Sequence, residues 1–313
     1  MKNKKTIVKT LVDDWQNIHC GNLAKSTQYG YKTTINAYIL PILGKKAVRD
    51  VKQRDIQNII NSIASSGKST KTQKNTIGIL HSIFEFALLN KMIDVNPVKQ
   101  VVTKKTAPYE YYIYTADEYK NLLILFKGNR DIIPVLLGGT CGMRLSEIFG
   151  LKWSDIDFKK KYINIRRTAI AVGAKHTDIK NCAKTAAGNR IISVPAEVLE
   201  QIKFFITGKD DWLMPGTNKN QPENNYNFYR RYRRKIEKAG LPYTRFHDLR
   251  HFAATQFLDA GVPDKYAAAY LGHTDINMTK KYQHIRQQII PFPIGDTAPK
   301  VIIDTLPDSV RSV

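Results

Sequence analysis

Acidic residues are in short supply in this chain: 27 Asp and Glu stand against 49 Lys and Arg, for a net charge of +22. A surplus of that size attracts a polyanion, because each neutralised phosphate releases condensed counterions. Nucleic acid is the first partner it suggests, with a basic protein of no single partner as the plain alternative. An anionic membrane surface fits poorly, since the Lys and Arg are spread along the chain rather than gathered on one amphipathic helix. Long hydrophobic runs are missing too. The longest uncharged stretch with apolar weight, residues 132–143, holds Pro134 and paired glycines and is too short to span a bilayer. The basic start MKNKKTIVKT leads into no apolar signal-peptide core. Cysteine is scarce and odd in number, with only Cys20, Cys141 and Cys182. That argues against a disulfide framework and suits a reducing cytosol. None of the three has a second Cys or a His at zinc-ligand spacing, so neither metal nor cofactor is expected. The expectation is a soluble cytoplasmic protein without membrane contact. Its 313 residues suggest two domains, each large enough to bury a core.

What is present divides into a helical part and a mixed part, without repeats or low-complexity segments. Ser26 is a cap for a helix carrying Tyr29, Ile35, Tyr38 and Ile39, expected to stop at Pro41 and Gly44. Residues 52–65 place Ile56, Ile59, Ile60 and Ile63 on one face, and 70–90 do the same with Leu80, Ile83, Phe84, Ala87 and Leu88. This predicts a bundle of four helices at most over residues 1–96. Its polar faces carry Lys45, Lys46, Arg49, Lys68, Lys71 and Lys74. Residues 97–113 lack periodicity and read as a linker. A second domain, 114–290, opens on the capping-box pattern Thr115-Ala116-Asp117-Glu118. It is expected to run through an apolar helix at 132–137, a turn at 138–142 and a further helix. Strand-like runs follow at 162–166 and 190–194, then helices again to about 290. The fold class is mostly α with a small β-sheet in the C-terminal domain. A tail, 291–313, is either a docking element for a neighbouring protomer or a disordered end.

Four short segments of the second domain carry chemistry-bearing side chains. Gly142-Met143-Arg144-Leu145-Ser146-Glu147 sets a guanidinium at a helix start, where it can fork onto a phosphate, with Glu147 one turn on to hold it. Taken alone, an Arg–Glu pair at this spacing is usually a surface ion pair. His247-Asp248-Leu249-Arg250-His251 puts His247 and Arg250 on one helix face, suited to an anion, or else a lone buried His beside a surface Arg. Leu271-Gly272-His273 is followed nine residues later by Tyr282, and a Tyr at such a spacing is usually an aromatic anchor. Lys184 precedes the strand-like 190–194, with Lys175 and Lys180 competing for any role.

Taken together and in this order, the segments resemble the catalytic domain of the tyrosine recombinases, also called phage integrases. That family's pattern of Arg, hairpin Lys, H-x-L-R-H, L-G-H and Tyr falls here on Arg144, Lys184, His247 with Arg250, His273 and Tyr282. The stretch 151–157 after the Arg turn matches as well. The helical first domain resembles the family's core-binding domain down to Asn96-Pro97, and the likeness spans about residues 8 to 286. Many integrases carry an arm-binding domain ahead of this region. Only a few residues stand there here, which fits either a simple recombinase of Xer-like size or a chain from which that domain has been removed.

The resemblance implies a chemistry. Arg144 and Arg250 would clamp the scissile phosphate as its charge builds. His247 and His273 would donate hydrogen bonds to its non-bridging oxygens, His247 also taking the tyrosine proton. Tyr282 would attack to give a 3′-phosphotyrosine, and Lys184 would protonate the leaving 5′-oxygen. The partners implied are duplex DNA with specific core sites, a homo-tetramer on that DNA, and an excision factor, with the protein at the nucleoid. Lys45, Lys46, Lys68, Lys71 and Lys74, with Arg230, Arg231, Arg233 and Arg234 of a basic run, are the phosphate-tracking candidates; for that run a solvated charge face is the alternative. Integration or excision of a mobile element is the expected role, with Xer-like resolution, a type IB topoisomerase and a non-catalytic DNA-binding regulator as alternatives.

Overall fold

The computed structural model describes residues 6–107, 112–181 and 189–272. The chain divides into two compact units, Met1–Tyr109 and Glu110–Val313. Among the described residues, no helix is long and apolar enough to cross a membrane.

The first unit is helical. It comprises α1 (Val8–His19), α2 (Lys25–Thr34), a wide π turn (Ile35–Ile39), α3 (Leu40–Leu43), α4 (Gln53–Ser65) and α5 (Thr70–Leu89). The expected apolar stripe of α4, Ile56, Ile59, Ile60 and Ile63, is buried, and so are Leu80, Ile83, Phe84 and Ala87 of α5. The helices read from the sequence omit α1, although Val8, Leu11, Val12 and Trp15 have helical spacing and are buried. Two further expectations are corrected. The second helix starts at Lys25 with Ala24 before it, so Ser26 lies inside the first turn and is not the cap. The helix does end at Gly44 as expected, but it runs through Pro41 instead of breaking there. A proline removes one N–H and crowds the carbonyl four residues back, and the π turn immediately before it widens the helix at that place.

Residues 98–107 have no regular secondary structure, but they are strapped to the first unit by side chains. The Gln57 amide donates to the Val102 carbonyl and accepts from the Val102 N–H, both at 2.9 Å. Gln73 does the same for Lys104, at 3.2 and 2.9 Å. Thr70 Oγ1 donates to the Lys104 carbonyl and accepts from the Thr106 N–H. Alternate residues of an extended segment are thus paired as a neighbouring strand would pair them.

The second unit is mixed. α6 (Ala116–Phe126) opens on the expected capping box, with the Glu118 N–H on Thr115 Oγ1 and the Thr115 N–H on the Glu118 carboxylate. α7 (Ile132–Gly139) is buried throughout and runs two residues past the expected end. α8 (Leu145–Phe149) follows the Gly142 turn. β1 (Ile156–Asp157), β2 (Tyr162–Ile165), β3 (Arg167–Val172), β4 (His176–Asn181) and β5 (Arg190–Ser193) come next, then α9 (Ala196–Lys203), α10 (Asn225–Lys238), α11 (Phe246–Asp259) and α12 (Asp264–Leu271). The two expected strands pair antiparallel, with Ile163 opposite Ile192, in a sheet ordered β1-β2-β5. The β3–β4 hairpin is an addition the sequence did not suggest. Its second strand is polar, and the start of α10 holds the hairpin: Asn224 Nδ2 donates to the carbonyls of Gly173 and His176, and Asn225 Nδ2 to that of Ala169.

The strap generates the first test. Gln73→Ala removes the acceptor of the Lys104 N–H, so that amide should exchange with solvent faster by about tenfold, the equivalent of one lost hydrogen bond. Amides in the middle of α4 should be unaffected. Unchanged exchange at Lys104 would show that the strap holds without the amide clip.

Candidate active site

The site is built on a turn that only glycine fits. Gly142 has a φ of +61°, and a Cβ there would collide with Leu271 Cδ2. This close approach sets the α7–α8 turn directly against the end of α12. The turn delivers Arg144 to the capping position just before α8. There its N–H donates to Glu147 Oε2 at 3.0 Å, its Nη1 to Glu147 Oε1 at 2.8 Å, and its Nη2 to the Gly272 carbonyl at 2.6 Å. Arg144 keeps 32% of its side chain exposed, whereas Glu147 keeps 3%.

α11 supplies the other side. Its first turn is fixed by Asp248, fully buried, whose carboxylate accepts from the Arg245 N–H, Nε and Nη2. His247 and Arg250 follow one turn apart. Arg250 is 3% exposed and donates through Nη1 to the Gly142 carbonyl at 2.7 Å, while its buried Nη2 finds no hydrogen-bond partner among the described residues. Burial and then the Arg144 charge lower the Arg250 pKa, against the opposing pull of Glu147. A guanidinium does not surrender its proton at neutral pH, so the energetic cost persists until an anion offsets it. His247 is exposed, with its ring 5.3 Å from that of His251 and perpendicular to it. Partial desolvation first, then His251, Arg250 and Arg144, lower its pKa below the usual histidine value.

Arg190, which the sequence offers only as the first residue of the strand-like run 190–194, belongs here as well. It is buried at the start of β5 and donates to both oxygens of Glu147, at 3.0 and 3.1 Å. It also donates to the carbonyls of Tyr270 and Leu271, both at 3.0 Å. A signal for it was available: Arg190 shares the period-two face of Ile192, which is in the core. Burial pushes the Glu147 pKa up, but Arg190 and Arg144 outweigh it and hold the carboxylate at about 2.

Of the expected site residues, the structure therefore brings together Arg144, Glu147, His247 and Arg250. Lys184, His273 and Tyr282 lie outside the described residues. The competing Lys180 is 3.5 Å from Asp178, and Lys175 is exposed in the β3–β4 turn. Among the expected DNA ligands, Lys45, Lys68, Lys71 and Lys74 are exposed, as are Arg230 and Arg234. Others are already engaged within the protein. Lys46 pairs with Asp55 at 2.6 Å, Arg233 with Glu237 at 2.7 Å, and Arg231 forks onto both Asp131 and Glu223. Arg231 is a structural cross-link between α10 and the start of α7, so the basic run is not one continuous phosphate-binding face.

Comparison with known proteins gives this cluster its context. The phage integrase family model matches residues 113–288, and the model of the phage integrase central domain matches 8–104. The chain belongs to the phage integrase family. The recombinase is 29% identical over 264 residues to a XerC-like tyrosine recombinase of Caldanaerobacter subterraneus, covering 75% of this chain and 68% of that one. It is 26% identical over 298 residues to the transposase of transposon Tn916 from Enterococcus faecalis, covering 85% and 71%. In fold it is similar to the Tn1549 transposon integrase in complex with transposon right end DNA, with a TM-score of 0.68 at 24% identity over 89% of this chain and 95% of that one. A lambda integrase dimer bound to a core site is similar with a TM-score of 0.67 at 20% identity, covering 90% and 97%.

The depressed pKa of Glu147 predicts a pH dependence. The ionised carboxylate adds stability above its ordinary value of 4.5, and that contribution is lost as the pH falls toward about 2. Glu147→Gln should cost about 3–5 kcal/mol in urea unfolding near pH 7, because it strands two guanidiniums. The gap to the unmodified protein should narrow as the pH is lowered to about 2.5. A gap that stays constant would mean that Glu147 stabilises by packing rather than by charge.

Proposed function

We propose that the recombinase binds duplex DNA at specific core sites, assembles there as a tetramer, and exchanges strands through a covalent 3′-phosphotyrosine at Tyr282. The observation that carries the reading is Arg250, buried beside Arg144 with an Nη2 that has no hydrogen-bond partner among the described residues. The two guanidiniums form a preformed receptor for a group with several anionic oxygens, as a phosphodiester passing to its pentacoordinate transition state presents. In this scheme the Tyr282 oxygen attacks phosphorus and its proton passes to His247, whose lowered pKa leaves the imidazole neutral and able to accept it. The bond to the 5′-oxygen breaks, with Lys184 supplying that oxygen's proton, while His273 donates to a non-bridging oxygen. Attack by a different 5′-hydroxyl reverses the steps and joins the new strand, so the phosphotyrosine conserves the bond energy. The Tn916 relative supports integration and excision of a mobile element, with an excision factor as a further partner. The XerC-like relative supports chromosome or plasmid resolution as the second reading. Lys45, Lys68, Lys71, Lys74, Arg230 and Arg234 are the exposed cations proposed to track the backbone. The proposed division is a DNA-clamping domain over 1–96, a linker over 97–113, a catalytic domain over 114–290 and a tail, 291–313, exchanged between protomers.

The nucleophile is tested on a nicked suicide substrate resolved by denaturing gel. Tyr282→Phe should bind the duplex normally and form no covalent adduct, since only the phenolic oxygen is gone. An adduct that persists, or that maps to Tyr266 or Tyr270, rejects the assignment.

The acid is tested through the leaving group. A substrate with sulfur at the bridging 5′ position departs as a thiolate that needs little protonation. Lys184→Ala should therefore be severely slow on ordinary DNA and largely restored on the sulfur-bridged DNA. If Lys180→Ala shows the restoration instead, the acid lies on β4.

A further inference from the structure

We infer that Arg190 is a positioning residue for the phosphate clamp, holding Arg144 in register by fixing both of the groups that Arg144 grips. The inference rests on the recombinase reading of the site and goes beyond its expected catalytic set. Arg144 is anchored at two points, the Glu147 carboxylate and the Gly272 carbonyl. Arg190 is anchored at the same carboxylate and at the two carbonyls immediately before Gly272, those of Tyr270 and Leu271. The four groups close a ring: Arg144, Glu147, Arg190, the last turn of α12, and back to Arg144. No other described side chain donates a hydrogen bond to Glu147.

Stability alone does not explain such an arrangement. Taking an ion pair out of water costs about as much as the pair returns, and an apolar replacement of similar volume is often neutral or better. What an apolar side chain cannot do is fix the two Glu147 oxygens or satisfy the carbonyls left over at the end of α12. A planar guanidinium does both at once, with donors fanned in one plane. Without it, Glu147 can rotate and the end of α12 can drift, and Arg144 loses the definition of both its anchors. A misplacement of about 1 Å at a catalytic group is enough to cost on the order of a hundredfold in rate.

The test reads charge stabilisation separately from folding. Single-turnover cleavage is measured for the full chain and its Arg190→Gln, Arg190→Lys and Arg144→Ala variants. Each is assayed on an ordinary nicked duplex and on one with a methylphosphonate at the scissile position, where one anionic oxygen is replaced by a neutral methyl group. On ordinary DNA, Arg190→Gln should be slower by about a hundredfold, with duplex affinity nearly unchanged. Arg190→Lys should remain slow, because an ammonium keeps the charge but cannot fork across carboxylate and carbonyls. On the methylphosphonate the deficit of both should shrink by at least about tenfold, as for Arg144→Ala, since less charge has to be stabilised. A variant that is merely misfolded is slow on both substrates. Equal deficits on both substrates for Arg190→Lys, the milder change, would overturn the inference, and so would normal cleavage by both Arg190 variants. If Arg144→Ala itself cleaves ordinary DNA normally, the clamp reading fails and this inference falls with it; a slow, substrate-rescued Arg144→Ala beside unrescued Arg190 variants rejects the positioning role alone.

Discussion

One buried carboxylate has to answer for more positive charge than it can neutralise. Glu147 is hydrogen-bonded to Arg144 and Arg190, and its field reaches Arg250 as well. The excess is not an accident of composition, because the three guanidiniums come from separate elements and each is fixed by backbone carbonyls as well. Gly142 receives Arg250, Gly272 receives Arg144, and Tyr270 and Leu271 receive Arg190. Carbonyl dipoles hold a cation in place without cancelling its charge. The result is a site whose positive potential is built into the fold before any ligand arrives, which is the condition for stabilising charge that develops only in a transition state.

The elements that present these groups begin in a common way. At Arg144 and Arg245 a basic residue precedes the helix, and the acid three positions on accepts its N–H: Glu147 at α8 and Asp248 at α11. The same device opens α4 through Lys52 and Asp55, and the short turn at 153–155 through Lys152 and Asp155. In each case the acid satisfies a backbone donor that the helix leaves without a partner, and its charge favours the positive end of the helix dipole. At α8 and α11 the same acid also holds the guanidinium of the residue it caps. Local helix initiation and active-site geometry are therefore one arrangement, which is why a helix as short as α8 can carry so much of the site.

Where a feature depends on spacing along the chain, it was legible in advance. The Ile stripe of α4, the Thr115–Glu118 cap, the Arg144–Glu147 pair, the shared face of His247 and Arg250, and the existence of the strands β2 and β5 are all legible from local spacing. Where a feature depends on what a distant segment supplies, it was not. The β3–β4 hairpin has little apolar alternation and relies on Asn224 and Asn225. Arg231 reads as one of a row of solvent-facing cations, and only the fold brings Asp131 and Glu223 to it. The segment 98–107 reads as a free linker because its anchors are glutamine and threonine side chains from two other helices. α1 is a different case. Its apolar spacing is present in Val8, Leu11, Val12 and Trp15, but the stripe stands directly beside a basic leader and has no capping residue to mark a helix start.

The large net charge and the small buried cluster do different physical work. Exposed lysines such as Lys68, Lys71 and Lys74 sit in high dielectric, where salt screens them over about 8–10 Å and each contributes little to position. They can attract and retain a polyanion, but they cannot define where one phosphorus atom rests. Arg250 and Arg190 have the opposite character. They are almost excluded from water, so their charges are poorly screened, and their directions are set by carbonyls that move only if the backbone moves. Adding surface charge would tighten the hold on DNA without improving the alignment. Only the buried set, with Gly142 keeping the turn pressed against α12, holds positive charge at fixed positions, as the proposed clamp on one phosphate requires.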